Sequence, residues 1–384
     1  MSPGFFGALL MIYVHIPFCR QKCSYCNFHF STSLSLKDEL LKALKKEIGL
    51  RKNELDSGSL KSLYFGGGTP SILSSEEIKM LSDEILKYFD FDSDIEITLE
   101  ANPDDLNKSF LKGLSETVVN RLSVGTQSFH DEDLQLMNRI HTGAEAEDAI
   151  KRAQDSGFHN ISLDLIYGSP VSDFGVWKSN LQKAVSLEVP HISSYALTVE
   201  PRTALNSWIS TQKVPAPKDE EQQKEFHYMS EFLKGNGFIH YEISNFAKPG
   251  CYSSHNTAYW NNAPYLGIGP SAHSYNGSNR RSWNVANNTL YIKSLAEHHL
   301  PSETEILSEN DRYNEIMMTG LRTASGVNIQ MLRQCFSPEI IHHFETEKAK
   351  GLQSGVLEIA ENHLFIPEDK WFLADGIASD LFIL

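Results

Sequence analysis

The amino-acid sequence predicts an α/β fold: a partial, open (β/α)6 barrel followed by a smaller, mostly helical C-terminal domain. Three observations carry this expectation. Short apolar runs rich in β-forming residues alternate with helical patterns, as parallel βα units do. Six such repeats are present, two short of a closed eightfold barrel. After about Asn287 the alternation gives way to short helices that end in a small hairpin.

The strands are expected at Met11–Ile16 (MIYVHI), Ser62–Gly68, Asp94–Asn102, Arg121–Phe129, Asn160–Gly168 and Ile192–Glu200. Between them lie helical segments such as Lys37–Leu50, Ser75–Phe89 and Ala144–Gly157, the last closing on a glycine placed as a C-cap. The expected organisation is a barrel over residues 11–215, an extension over 216–287 and a C-terminal domain over 288–384. The stretch PAPKDEE, Pro215–Glu221, is a candidate mobile connection. No internal repeat or low-complexity tract interrupts the pattern.

Composition narrows the class of function. The chain has 384 residues, 41% hydrophobic and 22% charged, ordinary for a globular protein. Thirty-four Lys and Arg against 49 Asp and Glu give a net charge of −15, the wrong sign for a surface that neutralises phosphates, so a nucleic-acid partner is not expected. Five cysteines, three of them clustered, do not make a disulfide framework and suit a reducing compartment. The apolar stretch Gly4–Phe18 lacks a preceding basic residue and a small-residue cleavage site, and is too short and interrupted to span a bilayer. A cytoplasmic protein with no integral membrane segment is expected.

In open α/β barrels, function sits where strands end. The cysteine loop follows the first expected strand and GGGTP (Gly66–Pro70) the second. EANP, TQSF and DLIYGSP end the next three. All five loops therefore share one mouth.

The cysteines Cys19, Cys23 and Cys26 stand as C-x-x-x-C-x-x-C. A zinc site would need a second Cys or His pair downstream, and Cys251 and Cys335 sit in no such knuckle. A redox pair would use Cys23 and Cys26 and leave Cys19 without a role. Three thiolates on an iron–sulfur cubane leave one iron open to a small chelating molecule.

This spacing, with Tyr25 just before the last cysteine, resembles the radical S-adenosylmethionine superfamily. YVHIPFC and GGGTPS narrow the resemblance to the branch of oxygen-independent coproporphyrinogen III oxidase and its heme chaperone relatives, from Tyr13 to the C-terminus. The resemblance implies a radical S-adenosylmethionine type of partial barrel with a winged-helix-like C-terminal domain. It also implies a [4Fe–4S] cluster on Cys19, Cys23 and Cys26, and S-adenosylmethionine chelated at the open iron. By position, Gly67 and Gly68 resemble the methionine contact. Glu100, Gln127, Arg139 and Asp164 resemble S-adenosylmethionine-binding residues, where carboxylates suit hydroxyls or an ammonium and a guanidinium suits a carboxylate. Tyr13 and Tyr25 resemble residues lining cluster and cofactor. Taken singly, each of these also reads as a strand-ending turn, a salt bridge or core packing.

Two departures separate the chain from the oxidases. Phe28 stands where they carry a fourth cysteine, and only ten residues precede Met11 where they have a long extension. HNTAYW, His255–Trp260, matches the H-N-x-x-Y-W pattern of the chaperone subgroup. The resemblance makes His255 an axial heme ligand and Tyr259 and Trp260 aromatic surface for the porphyrin, on a loop. His273 and Cys251 are further candidate ligands. The bare chemistry of this stretch favours a tight loop whose histidine hydrogen-bonds and whose aromatics pack beneath the barrel; the subgroup resemblance turns it toward heme. The expectation is a heme chaperone delivering heme to acceptor proteins, membrane-bound respiratory proteins among them, with the homodimer left open. An oxidase decarboxylating a tetrapyrrole is the alternative.

Overall fold

A computed structural model describes residues 10–55 and 58–384. The first residues of the apolar Gly4–Phe18 stretch lie outside the described residues. The architecture is one twelve-stranded sheet, wrapped by helices, with a small three-stranded sheet in the C-terminal region. Strands β1 (Leu10–Ile16), β2 (Leu60–Gly67), β3 (Phe91–Ala101), β4 (Arg121–Gln127), β5 (Ile161–Tyr167) and β6 (His191–Ala196) pair in parallel, in sequence order. This is the expected open sixfold barrel, each strand within a few residues of its expected bounds.

The helices follow their local signals. Lys37–Leu50 lies where its apolar periodicity puts it. Ser75–Leu86 opens with a Ser74–Glu77 capping box and stops three residues before the expected Phe89. Gly143–Asp155 opens with a Thr142–Glu145 box and closes at Gly157, whose φ of +92° is the left-handed conformation a glycine supplies.

The sheet continues beyond the six repeats on both sides. At one end β8 (Asn245–Ala247) adds antiparallel to β6, and β7 (Ile239–Glu242) adds to β8. At the other, β9 (Tyr265–Ile268) pairs in parallel with β1, followed by β10 (His273–Tyr275), β11 (Arg280–Asn284) and β12 (Ser302–Ile306). The division expected after Asn287 thus falls within the residues that build this sheet. Beyond it, helices Glu309–Gly320, Ile329–Cys335 and Pro338–Ser354 pack with β13 (Val327–Asn328) and the hairpin β14 (Glu358–Ala360) and β15 (His363–Phe365), a winged-helix-like arrangement.

Strand alternation positions the site. Outward residues such as Leu63, Phe65, Leu99, Leu122, Val124, Leu163 and Leu165 are fully buried against the helices. The inward positions between them are polar and line one interior cavity.

Candidate functional site

That cavity, about 700 Å³, runs from the cysteine loop into the barrel. Inward residues reach it at every second position: Thr98 and Glu100 on β3, Arg121, Ser123, Gly125 and Gln127 on β4, Ser162 and Asp164 on β5, His191, Ser193 and Tyr195 on β6. Every residue expected to hold the cluster or S-adenosylmethionine lines it: Tyr13, Cys19, Cys23, Tyr25, Cys26, Gly67, Gly68, Glu100, Gln127, Arg139 and Asp164. So do His255 and Tyr259.

The cysteine loop is tied down at several points. Its base closes through Cys19 N–H donating to Ser31 O and Ser31 N–H to Pro17 O, at 3.0 and 2.9 Å. Ser24 Oγ donates to Leu136 O at 2.7 Å, and Asn138 Nδ2 donates to Lys22 O at 2.7 Å. Arg20 meets Asp105 at 2.9 Å. The loop is thus fastened to the turn after β4 and to the turn after β3, and is preorganised as a ligand shell must be. All three cysteines are free thiols. Among the described residues no three His, Cys, Asp or Glu side chains converge on one metal ion. A cubane suits such a set, because each thiolate binds its own iron.

Arg139 joins the loops. Its Nη1 donates to Cys23 Sγ at 3.4 Å, and its Nη2 donates to Asn102 Oδ1 at 2.7 Å and Gly125 O at 2.6 Å. A guanidinium beside a cysteine sulfur offsets the negative charge that thiolates bring. Glu100 accepts from Tyr64 Oη at 2.9 Å and from Gly67 N–H at 3.2 Å. Burial pushes its carboxyl up to about 7, with Asp164 adding to the rise. Asp164 accepts from Ser123 Oγ at 3.1 and 3.2 Å, and burial lifts it to about 6. These two carboxyls on the barrel wall, both raised by burial, can accept from hydroxyls or pair with an ammonium.

The glycines answer first to packing. A Cβ on Gly67, at φ +110°, would lie 2.5 Å from the His15 ring, and one on Gly68 would lie 2.6 Å from Phe18 O. Their backbone therefore faces the cavity because the second loop is pressed against the first. Tyr25 packs on the apolar cluster of Leu136, Met137 and Ile166. Phe28, in place of a thiol, stands 69% exposed at the rim.

HNTAYW is a helix, Ser254–Trp260, and not the loop expected. Ser253 caps it by accepting from Asn256 N–H, and Asn262, at φ +53°, lies just beyond its last residue. Buried Glu96 on β3 accepts from the N–H groups of Ser254 and His255 at 3.0 and 3.1 Å, with Arg121 Nε 3.9 Å away. The carboxylate complements the positive end of the helix and fixes it to the barrel.

Helical periodicity then divides the motif. His255 and Tyr259, four residues apart, share a face toward the cluster cavity, their rings edge-to-face at 4.8 Å. His255 is fully buried, its Nδ1 2.6 Å from Ser62 Oγ. Its Nε2 has no hydrogen-bond partner among the described residues. Burial pushes the imidazole down to about 3, which keeps it neutral, as a metal ligand must be. Trp260 faces a second cavity, to which Tyr259 also belongs. The structure therefore does not bring Trp260 together with His255. Nor does it bring the two alternative ligands: His273 lines a third cavity, stacked on Trp283 at 5.9 Å, and Cys251 lies outside the cluster cavity, 3.9 Å from Pro249 O.

Tyr64, Asn102, Ser123, Glu96 and Ser62 were not anticipated as site residues. For those inside strands the signal was available: polar or aromatic residues recur at i, i+2 where the alternate positions are mostly apolar, while Asn102 lies just past the end of β3.

The sequence matches the Radical SAM superfamily over residues 13–177 and the HemN C-terminal domain over residues 307–373. It is 35% identical to the heme chaperone HemW of Bacillus subtilis over 369 residues, 95% of this chain and 97% of that one. It is 36% identical to the heme chaperone HemW of Escherichia coli over 274 residues, 69% of each. Among solved structures, coproporphyrinogen III oxidase (HemN) from Escherichia coli, a radical SAM enzyme, superposes with a TM-score of 0.84 at 23% identity, over 98% of this chain and 90% of that one. The last likeness speaks for the fold alone.

Proposed function

The chain belongs to the heme chaperone HemW family within the radical SAM superfamily, and from that membership we propose that it binds heme and hands it to acceptor proteins. The observation that carries the reading is the floor of the cluster cavity, where a neutral, buried His255 presents an unpartnered Nε2 beside Tyr259. A buried nitrogen without a partner is costly unless a ligand uses it.

In this proposal Cys19, Cys23 and Cys26 hold a [4Fe–4S] cluster. Tyr13, Tyr25, Gly67, Gly68, Glu100, Gln127, Arg139 and Asp164 surround S-adenosylmethionine. When bound, the cluster supplies an open iron for the methionine amine and carboxylate, and a source of one electron. Arg139 orients Cys23 and Asn102, while Glu100 and Asp164 hold hydroxyl or ammonium groups against the wall. Heme goes to His255, with Tyr259 as aromatic surface; Trp260, expected beside them, faces the second cavity. Acceptors include membrane-bound respiratory proteins, and delivery takes place in the cytoplasm. Among the described residues, no helix is long and apolar enough to cross a membrane.

The completeness of the cavity supports a second reading, an oxidase that decarboxylates a tetrapyrrole. Phe28 at the rim speaks against it. The test is anaerobic reconstitution followed by separate titrations with hemin and coproporphyrinogen III, with reductant and S-adenosylmethionine present. Hemin binding with a Soret shift, and no protoporphyrinogen formed, is the expected result. Sustained decarboxylation would make the protein an oxidase.

A further inference from the structure

Two neighbouring strands grip His255 at two points. Ser62 on β2 and Glu96 on β3 are register partners, and both turn toward helix Ser254–Trp260. Glu96 holds the backbone, accepting from the N–H groups of Ser254 and His255. Ser62 holds the ring. Its Oγ lies 2.6 Å from Nδ1 and is the only hydrogen-bond partner the imidazole has among the described residues. Ser62 and His255 are both buried. Aromatic rings box the imidazole as well: Tyr64 stacks on it at 4.8 Å, Tyr259 meets it edge-to-face at 4.8 Å, and Tyr13 lies at 6.4 Å. Such a box sets the plane of the ring but does not choose which nitrogen points where. Ser62 alone makes that choice.

Resting on the heme reading above, we propose that Ser62 is the positioning residue for His255, fixing the ring so that Nε2, and not Nδ1, is the nitrogen offered to iron. A ring nitrogen that binds a metal carries no proton, so a neutral imidazole keeps its proton on the other nitrogen. For Nε2 to serve as the ligand, Nδ1–H needs an acceptor, and in this buried place the Ser62 hydroxyl supplies it. A hydroxyl accepts as well as donates, so the imidazole can change tautomer without either side chain moving. Donation from Nδ1–H also makes the ring more basic toward a metal. The register explains why one serine suffices. Because Ser62 pairs with Glu96 across the sheet, adjacent positions fix the ring and the backbone of the same residue.

The test is hemin titration of the reconstituted full chain by Soret absorbance, with cluster iron as the control for folding. Ser62→Ala should weaken hemin by about tenfold or more, the usual cost of losing the group behind a metal-bound histidine. The midpoint potential of the bound heme, followed at the Soret band, should rise, because a ring that no longer donates through Nδ1 stabilises ferric iron less. Lost packing alone has no such directed effect on the potential. Ser62→Thr against Ser62→Val is the second comparison, two side chains of one shape that differ by the hydroxyl, and the Thr variant should bind hemin about tenfold more tightly. On a His255→Ala background, Ser62→Ala should weaken hemin no further, since Ser62 acts through the ring. Wild-type affinity and potential in Ser62→Ala, equal binding by the Thr and Val variants, or an undiminished further loss on the His255→Ala background would each overturn this inference. In a protein that binds hemin and is weakened by His255→Ala, those outcomes leave the heme reading standing. A wild type that does not bind hemin would overturn both.

Discussion

The mouth and the floor of the barrel are built in opposite ways. At the mouth, the cysteine loop and the loops after β2 to β5 converge because each follows a strand, so topology alone assembles them. The floor is one short helix, Ser254–Trp260, from far along the chain, plugged beneath the strands and held by Glu96 at its N-terminus and by Ser62 at His255. The mouth is redundant in its ties: Ser24, Asn138, Arg20 and the Arg139 bond to Cys23 each fasten the loop elsewhere. The floor hangs on few. A mouth of this kind holds a fixed group rigidly, whereas a floor of this kind can be altered without touching it.

That contrast can be broken by experiment. The largest effect belongs to the mouth. Replacing Cys19, Cys23 and Cys26 together with alanine should eliminate cluster iron, sulfide and visible absorption after anaerobic reconstitution, while Cys335→Ala, packed in the C-terminal core, should retain all three. A triple variant with full iron content would remove the assignment. Next comes the floor: His255→Ala should lower hemin affinity by about tenfold or more and shift the Soret band, with cluster iron unchanged. If the cluster were lost as well, mouth and floor would not be separable.

A smaller effect tests the tie itself. Glu96→Ala leaves the N–H groups of Ser254 and His255 without acceptors, which should cost about 1–3 kcal/mol in denaturant midpoint and also weaken hemin. Stability lost with hemin affinity intact would show that the helix keeps its place without the carboxylate. The smallest effect concerns pH. Glu100 titrates at about 7 in the fold against an ordinary 4.5, so between those values the folded state keeps a proton that the unfolded chain has released. Stability from this group falls as pH rises through that window, and the full cost is present above pH 7. Glu100→Gln should therefore be more stable than wild type at pH 8, by about 1–2 kcal/mol, and level with it near pH 4.5. An equal gap at both pH values would contradict the raised carboxyl.

Much of the mouth was legible because adjacency in sequence translates directly into adjacency at strand ends. Cys19, Gly67, Glu100, Gln127 and Asp164 each sit at or just after the C-terminal half of a strand, and the six-strand pattern located them. The floor was legible as a motif but not as a shape. Read as a loop, HNTAYW offers all its side chains to one ligand; as a helix, it sends His255 and Trp260 into different cavities. Tyr64 and Ser123 escaped notice because the strands read as apolar runs, and one polar residue in such a run looks like tolerance. Only the i, i+2 recurrence on several strands marks a lumen. Strands β7 to β12 were hidden for another reason. They are mostly three to five residues long, and their pairing depends on partners far away in sequence.

One of those pairings sets a schedule for biosynthesis. β1, which leads directly into the cysteine loop, is flanked on one side by β2 and on the other by β9, so Met11–Val14 meet Tyr265–Ile268 in register. During translation the first strand emerges with one edge open, and it stays open until some 250 further residues have left the ribosome. At about 5–20 residues per second that is a wait on the order of ten to fifty seconds. Throughout it, a largely apolar strand and three unligated thiols share the nascent chain. The segment that carries three of the five cysteines is therefore the one whose shelter is synthesised late, and holdase capture and iron supply have the same interval in which to act.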